Sequence, residues 1–446
     1  MHDFQERPAK MGLIDPDPRP FSADRQAGRL ERMLNRRDIR SISLLILVIY
    51  AAAAVVSFYT QAAGKTVFGP QLGADFGAFY TAGRIYREVA PDRIYDRAEQ
   101  RRVYREIYPS GQPGQELPYV NAPFFALPLP LLARLPYATA YLFWFGLSLG
   151  LFLLGIRLLW STLDAIPRED RPLAGLLAVS FMPFMVECLS GGQTSAFGFF
   201  FLALAITLER RGRPVASGMA LALCLYKPTL LILILPMLLL TRRFRSIAGV
   251  GLGAFLLSIV SIWMVGVEGC RSYLRMLLFF ADNSVSGATG LKSWKYIDIN
   301  SFSRLLFHEH SWLRWALTGI VFAVVLPLLV RAWVRSPLRR ELQGLVWASA
   351  VTWTLVLNIY LGIYDATLVV ISAFLTCDLL YRRTERPGDP FSYRCKLLVL
   401  SLYLVPWVTQ PIAKLTGVQL LTLALALFGA YQLSMLRGGE AAAIRS

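Results

Sequence analysis

SISLLILVIYAAAAVVSFYTQAAG, residues 41–64, is an uncharged stretch that lies between Arg40 and Lys65. A helix of this length crosses the roughly 30 Å hydrocarbon core of a lipid bilayer. It does not have the form of a cleaved signal peptide, because an Arg-rich stretch of about 40 residues precedes it. The stretch therefore predicts a membrane-spanning helix in an integral membrane protein.

Apolar segments recur through the rest of the chain, at 123–160, 173–190, 194–208, 214–226, 229–241, 246–266, 312–333, 344–360, 365–381, 396–412 and 417–435. The first of these begins with a short Pro-rich part, which is typical of a partial or re-entrant helix, and continues as a full span. The segments between 194 and 241 are short for a single crossing, and such helices often line a cavity. We predict an all-α polytopic bundle of about twelve membrane-spanning helices, within a range of roughly ten to fourteen.

The composition agrees with a membrane protein, since 55% of the 446 residues are hydrophobic and 17% are charged, below the ~25% charged residues of soluble domains. The net charge of +17 comes from 46 basic and 29 acidic residues. Basic residues cluster in alternate short loops, at 168–171, 210–213, 242–245, 331–340 and 382–396. The positive-inside rule places these loops and both termini in the cytoplasm. The basic excess therefore needs no nucleic-acid partner.

This threading divides the chain into an Arg-rich cytoplasmic tail (1–40), a single transmembrane domain (41–435) and a cytoplasmic C-terminal tail (436–446). It places two long hydrophilic loops, 64–121 and 267–311, outside. The first outer loop combines tyrosines with balanced charges, which predicts helices at the membrane surface. The same residues suit sugar binding, because an aromatic ring packs on a sugar face while carboxylates accept from its hydroxyls.

Asp75 stands out in the first outer loop, in the sequence GADFGAFY (73–80). Phe76 and Tyr80 would partly remove its carboxyl group from water, and desolvation raises a carboxyl pKa toward the range useful for proton abstraction. A helix cap and a structural ion pair are the alternative interpretations.

Three short motifs reach the same outer face. The turn at 190–193, Ser-Gly-Gly-Gln, permits a close backbone approach and offers the Gln193 amide, although it is also an ordinary turn. Lys227 follows Tyr226 where an ammonium would meet an outer-leaflet phosphate or simply snorkel. Tyr364 and Asp365 precede a helix, where the acid also favours the helix N-terminus.

The second outer loop offers cations to a phosphate and rings to a sugar, although a flexible connector is the alternative interpretation. Its polar residues include Lys292, Trp294, Lys295, Tyr296, Asp298, Asn300 and Arg304. His308 or His310 could be a second proton carrier. Three histidines and five isolated cysteines give no metal-ligand spacing, and although Asp298 and Asn300 could touch a metal, we predict no metal site.

Taken in order, these motifs resemble glycosyltransferase family 87, a family of polytopic membrane enzymes in the glycosyltransferase-C superfamily that includes mannosyltransferases using polyprenyl-phosphate mannose. The resemblance covers about 75–375. It rests on DFGAFYTAGRIYREVAPDRIYD (75–96), YVNAPFFALPLPLLARLPYATAYLFW (119–144), SGGQTSAFGFFFLALA (190–205), RGRPVASGMALALCLYKPTLLILILPMLLLTRRFR (211–245), IDINSFSRLLF (297–307) and IYDATLVVISAFL (363–375).

The resemblance implies a GT-C-like bundle and an inverting transfer of mannose, or of another hexose or pentose, from a polyprenyl-phosphate donor to a lipid or glycan acceptor. It places this reaction on the extracytoplasmic side of a bacterial-type inner membrane, with no cofactor beyond the lipid-linked donor. Asp75 would deprotonate the acceptor hydroxyl, and Lys227 with cations of the second outer loop would hold the donor phosphate. The substrate-binding residues implied are Phe76, Tyr80, Tyr95, Gln193, Lys227, Lys292, Lys295, Asn300, Arg304, Tyr364 and Asp365.

The chain departs from the family at one motif, because many relatives have a histidine just before the late Tyr-Asp and this chain reads Leu361-Gly362-Ile363. The identity of the sugar therefore stays open. The main alternative function is a transporter or flippase of lipid-linked sugars, which favours polar residues through both leaflets and internal repeats. Neither is evident in the sequence. A non-catalytic membrane scaffold is a further alternative, but it would give the ordered outer motifs no purpose.

Overall fold

The structure is a computed structural model that describes residues 35–60, 66–67, 72–109, 117–286, 292–307, 310–336, 340–383 and 393–444. Within these ranges the regular secondary structure is helical, with an isolated antiparallel bridge between Tyr296 and Gly362. The predicted all-α fold is therefore confirmed. By its internal contacts the chain divides into residues 1–42 and 43–446, and the described part of the first unit is the start of the first helix.

The α-helices, numbered in chain order, are α1 (Arg36–Tyr59), α2 (Phe76–Glu88), α3 (Arg97–Ile107), α4 (Leu129–Leu132), α5 (Tyr137–Trp160), α6 (Arg171–Val179), α7 (Ser195–Arg210), α8 (Pro214–Ala222), α9 (Ile234–Leu240), α10 (Phe244–Ser286), α11 (Ile299–Leu306), α12 (Ser311–Arg335), α13 (Gln343–Val356), α14 (Val369–Arg383), α15 (Tyr393–Thr416) and α16 (Leu420–Ile444). A π-helix spans Pro183–Ser190. Turns of 3₁₀-helix occupy Pro91–Arg93, Pro123–Ala126, Leu223–Tyr226, Pro228–Leu231, Ser293–Lys295, Arg340–Leu342 and Ile363–Leu368.

Seven helices in the described residues are long and apolar enough to cross a membrane, and α6 with the π-helix makes an eighth if this pair, bent by 49°, is one span. The chain is thus an integral membrane protein. The predicted count of about twelve is not confirmed, because several apolar segments form short helices. Pro123–Leu132, Pro214–Tyr226 and Pro228–Leu240 each begin at a proline, which lacks the N–H group needed to continue a preceding helix.

Helix α13 is a short helix that lies in the protein interior. Every residue from Gly344 to Val356 is buried, and a helix that is apolar on all sides is stable only inside a larger assembly. Its neighbours approach closely, since a Cβ atom added at Gly429 of α16 would lie 2.7 Å from the Trp353 ring. Helix α13 therefore forms part of the protein interior.

The first outer loop contains α2 and α3, as the sequence predicts, whereas their position at a membrane surface remains a prediction. Asp96 caps α3 by accepting from the N–H groups of Ala98 and Glu99. Helix α2 packs closely on α4 at Gly83. A Cβ atom added at this glycine would lie 2.4 Å from the Leu129 carbonyl oxygen. Aromatic rings fill the contact between α2 and α5, with Phe79 stacked on Trp144 at 5.0 Å.

Helix α10 continues beyond its predicted end at residue 266. Gly266 has φ 68° and ψ 176°, a conformation that glycine adopts readily, and this residue changes the direction of the helix. The chain then resumes a helix to Ser286, so the first part of the predicted outer loop 267–311 is helical. Likewise, α16 continues as a helix to Ile444 through most of the predicted C-terminal tail.

Candidate active site

Asp75 immediately precedes α2 and is partly buried. Its backbone N–H donates to the Gly191 carbonyl at 2.8 Å, and its carboxylate accepts a short hydrogen bond from the Gln193 side-chain amide. The carboxylate makes no capping bond to the N–H groups of α2. Helix capping therefore does not explain this acid, which faces the glycine-rich turn at 190–193.

The electrostatic environment favours protonation of Asp75. Burial raises the pKa of the Asp75 carboxyl, and this effect is larger than the opposing influence of the Gln193 hydrogen bond and the Lys295 ammonium. A carboxylate with a raised pKa accepts a proton more readily than an exposed one. A raised pKa is one property expected of a general base.

The turn at 190–193 lies directly against the start of α2. Gly192 has φ +75°, and a Cβ atom there would lie 2.7 Å from the Phe76 Cβ. The Trp144 indole donates to the Gly192 carbonyl at 3.0 Å. The absence of a side chain at Gly192 therefore permits the approach that brings Gln193 to Asp75.

Two tyrosines of α5 hold the same segments in place. The Tyr137 hydroxyl donates to the Leu72 carbonyl at 2.8 Å, just before Asp75. The Tyr141 hydroxyl lies 3.1 Å from the Ser190 carbonyl. With Trp144, these residues recur at positions i, i+4 and i+7, and this aromatic stripe is the signal from which sequence analysis could have recognised them.

Lys227 and Asp365 form a buried ion pair. The Asp365 side chain is 1% exposed and that of Lys227 is 19% exposed. The other Asp365 oxygen accepts from the Ser195 hydroxyl at 2.9 Å, and the Lys227 ammonium lies 4.7 Å from the centre of the Tyr364 ring. The structure thus brings together three predicted site residues, and the Lys227 charge is already balanced by Asp365.

The end of the second outer loop is tied to the segment before Tyr364. Besides the bridge between Tyr296 and Gly362, the Ile297 N–H donates to the Leu361 carbonyl at 2.9 Å. Asp298 accepts from the Leu361 N–H at 3.0 Å and caps α11 through the Ser301 N–H at 2.9 Å. Burial raises the pKa of Asp298 to about 6. These bonds give Asp298 a structural role.

The predicted polar residues of this loop have different environments. Lys292 and Lys295 are exposed, and the Lys295 ammonium lies 5.5 Å from the Trp294 ring centre. Asn300 is buried and donates to the Ile359 carbonyl at 3.0 Å. Arg304 is partly buried on α11, where desolvation lowers its pKa. Lys295 interacts electrostatically with Asp75.

Three predicted substrate-binding rings serve packing instead. Phe76 is fully buried, and the Tyr80 hydroxyl donates to the Leu135 carbonyl at 2.8 Å. Tyr95 is buried, donates to the Asn121 carbonyl at 2.7 Å, and borders a different cavity of about 620 Å³ with Asp92 and Glu268. We therefore leave these rings out of the proposed site. His308 lies outside the described residues, and His310 is an exposed residue that precedes α12.

Glu187 was not among the residues predicted for the site. This acid lies in the π-helix Pro183–Ser190, one turn before the glycine-rich turn. Its Oε1 atom accepts from the Gln410 side-chain amide of α15 at 2.8 Å. Lys295 and Asp75 both interact with it electrostatically. An acid within a candidate span was a signal for function, but its proximity to Asp75 depends on the bend before the π-helix.

An apolar groove of about 440 Å³ lies between α1 and α15, bordered by Ile46, Leu404, Val405, Trp407 and Val408. The Trp407 ring meets that of Tyr50 edge to face at 6.4 Å. Gln410 follows Trp407 by three residues on α15, so the groove lies one helical turn from the bond between Gln410 and Glu187. The helix that borders this groove therefore also carries the amide donor of Glu187.

Neither curated proteins nor solved structures show a significant match to the chain. The family model of glycosyltransferase family 87 matches residues 119–359, just over half of the sequence. The match includes the turn at 190–193, Lys227 and Glu187 and covers four of the six quoted motifs, whereas the motifs at 75–96, with Asp75, and at 363–375 lie outside it. This chain therefore belongs to glycosyltransferase family 87.

Proposed function

We propose that this glycosyltransferase transfers a sugar, mannose or another hexose or pentose, from a polyprenyl-phosphate donor to a hydroxyl of a lipid or glycan acceptor, with inversion at the anomeric carbon. The observation that carries the proposal is the environment of Asp75. Its carboxylate is partly buried, has a raised pKa, accepts a hydrogen bond from Gln193 and interacts electrostatically with the Lys295 ammonium. These are the properties of a positioned general base that is influenced by a cation.

In the proposed reaction, Asp75 accepts the proton of the acceptor hydroxyl while the acceptor oxygen attacks the anomeric carbon of the donor. The bond between this carbon and the phosphate oxygen breaks, and its electron pair leaves with the polyprenyl phosphate. Lys295 stabilises the negative charge that develops on the leaving phosphate. A glycosylated acceptor and a polyprenyl phosphate result, and Asp75 then releases its proton to solvent.

In this proposal Lys227 is not the main group that holds the donor phosphate, which is the role that the family resemblance implies. Because Asp365 already balances its charge, it contributes less to phosphate binding than an unpaired cation would. It orients Tyr364, whose ring it faces at 4.7 Å. Lys292 and Arg304 remain candidates for contacts with the donor phosphate or lipid.

The apolar groove between α1 and α15 supports a lipid-linked substrate, since a groove between two candidate membrane spans offers an apolar surface on which an isoprenoid chain can pack. We further propose that the short apolar helices complete about twelve crossings, with both termini in the cytoplasm and Asp75 outside. Cysteines introduced at the exposed residues Tyr59 and Ser161 test this threading. A membrane-impermeant maleimide should label residue 59 but not residue 161 in intact cells.

The reaction is tested with purified protein, polyprenyl-phosphate sugars and a membrane lipid extract as acceptor. Wild type and Glu106→Gln, which changes an exposed acid of the same loop, should form glycosylated product. Asp75→Asn should lose transfer by about a hundredfold or more, as expected for removal of a general base. Full activity of folded Asp75→Asn would remove Asp75 from the mechanism. Movement of labelled lipid-linked sugar across vesicles without a new glycosidic bond would instead identify a flippase.

A further inference from the structure

We infer that Glu187 is a second carboxylate of the active site, which accepts hydrogen bonds from hydroxyl groups of the transferred sugar and so determines which sugar is accepted. This inference rests on the proposed transferase function and deepens it. It assigns Gln410 as the positioning residue that orients the Glu187 carboxylate.

Glu187 and Asp75 are attached to the same short segment of chain. Asp75 binds the turn at 190–193 through the Gly191 carbonyl and the Gln193 amide. Glu187 lies at the start of the last π-helical turn, whose bond from the Gly191 N–H to the Val186 carbonyl measures 3.0 Å. A substrate that contacts one carboxylate is therefore close to the element that carries the other.

The Glu187 carboxylate retains capacity for a ligand. The Gln410 amide occupies Oε1, whereas Oε2 has no hydrogen bond among the described residues, and the side chain is partly exposed. An ionised carboxylate has about four acceptor positions. A carboxylate in a candidate membrane span is energetically costly, and one amide donor is little compensation if its role is only structural.

The negative charge of Glu187 determines which part of the lipid-linked donor it can bind. A carboxylate repels a phosphate, so Glu187 cannot be its binding group. It can accept from sugar hydroxyls, which are neutral donors. Lys295 interacts electrostatically with both acids, and this cation is the group that can meet the donor phosphate. Because both acids are attached to the segment 186–193, we assign the sugar hydroxyl groups to Glu187 and the acceptor hydroxyl to Asp75.

The local helix geometry agrees with a functional role. π-helical turns within α-helical segments are frequent at functional sites, and this one follows the 49° bend after α6. On the other side, Gln410 lies between Pro406 and Pro411 of α15, where missing N–H groups interrupt the regular helix. Both partners thus come from irregular helix turns that aim their side chains at each other.

The test compares polyprenyl-phosphate donors that carry the sugar used by wild type with the same donors lacking single hydroxyl groups. Wild type should discriminate against at least one deoxy donor, because a site built to bind a hydroxyl leaves polar groups unpaired when it is absent. Glu187→Gln should lower kcat/KM for the complete donor by about tenfold or more. It should change kcat/KM for that deoxy donor much less, so that the ratio between donors falls. Gln410→Leu should give a smaller fall in the same ratio.

An unchanged donor ratio in folded Glu187→Gln would overturn the inference while the transferase proposal stands. If Glu187→Gln does not accumulate as folded protein, Glu187→Asp is used instead. It keeps the negative charge but shortens the side chain by one methylene group, so the donor ratio should fall here too. An unchanged ratio in Glu187→Asp would equally overturn the inference. Absence of transfer by wild type with every donor would instead contradict the proposed function.

Discussion

The side-chain amide of Gln193 donates a hydrogen bond to the carboxylate of Asp75, which lies 118 residues earlier in the chain. An amide donor stabilises the ionised carboxylate more than the protonated form. This bond therefore opposes the effect of burial on the pKa of Asp75. The balance between the two determines the pH range in which Asp75 can accept a proton.

We expect Gln193→Leu to move the acidic limb of the pH profile of kcat/KM to higher pH. Loss of the amide donor raises the pKa of Asp75 further, so the base is ionised only at higher pH, and activity at pH 6 falls more than activity at pH 8. Initial rates measured between pH 6 and pH 8 give the position of this acidic limb. A limb at the wild-type position would contradict the proposed role of the hydrogen bond.

Gly192→Ala should destabilise the protein and abolish transfer, whereas Gly146→Ala should leave both unchanged or slightly raise stability. The added methyl at Gly192 meets Phe76 at 2.7 Å in a backbone conformation with φ +75°, and this conformation alone costs L-residues roughly 1–2 kcal/mol. Gly146 lies within α5 with no heavy atom near its added Cβ. Thermal unfolding in detergent with the transfer assay checks both. Equal behaviour of the two variants would contradict this account.

Removal of one partner of the pair between Lys227 and Asp365 should be costly. Asp365→Asn leaves the Lys227 ammonium without its counter-ion, and breaking a buried pair typically costs about 3–5 kcal/mol. The double variant Lys227→Met with Asp365→Leu should lose less stability than the sum of the two single changes. Unfolding free energies of this double-mutant cycle provide the measurement.

The exposed pair between Arg271 and Glu268 is the matched control for this cycle. Its side chains are 67% and 55% exposed, and exposed pairs contribute about 0–1 kcal/mol. Arg271→Gln should therefore have little effect on unfolding. A loss at Asp365→Asn no greater than at Arg271→Gln would mean that the buried pair contributes little to the fold.

Asp378 and Asp164 should differ in their contribution to stability although both lie near Arg382. Asp378 is 2% exposed and accepts from the Ala165 N–H at 3.1 Å and from Arg382 at 3.0 Å. Asp164 is 80% exposed, at 3.8 Å from Arg382. Asp378→Asn should cost about 3–5 kcal/mol and Asp164→Asn no more than about 0.5 kcal/mol. Comparable losses would be inconsistent with these environments.

Local sequence signals predicted the parts of the fold that depend on length and on single residues. The apolar length of α1, the division of 123–160 before α5, and the glycines of the turn at 190–193 all have direct local causes. Asp75 was recognisable because an acid among aromatic residues is unusual at a membrane boundary. The structure adds that its partner is Gln193 rather than a helix end or a cation.

The remaining features depend on contacts between distant segments. Lys227 and Asp365 are 138 residues apart, so their pairing could not be read from either local motif. The role of Glu187 depends on the bend after α6, which periodicity does not reveal. Tyr95 appeared suited to sugars, but its hydroxyl and ring are used within the protein. The count of about twelve spans is not confirmed, since the length of short helices such as α13, which are stable only through their neighbours, does not show how many of them cross the membrane.

The bridge between Tyr296 and Gly362 links two loops mechanically. Its neighbouring bonds at Ile297 and Leu361 make the end of the outer loop continuous with the turn that carries Asp365. A displacement of the loop at Trp294 should therefore also move Asp365, the counter-ion of Lys227, because main-chain hydrogen bonds connect the two segments. We expect that an antibody fragment bound at Trp294 would lower transfer, because it would disturb the turn that carries Asp365 as well as cover Lys292 and Lys295.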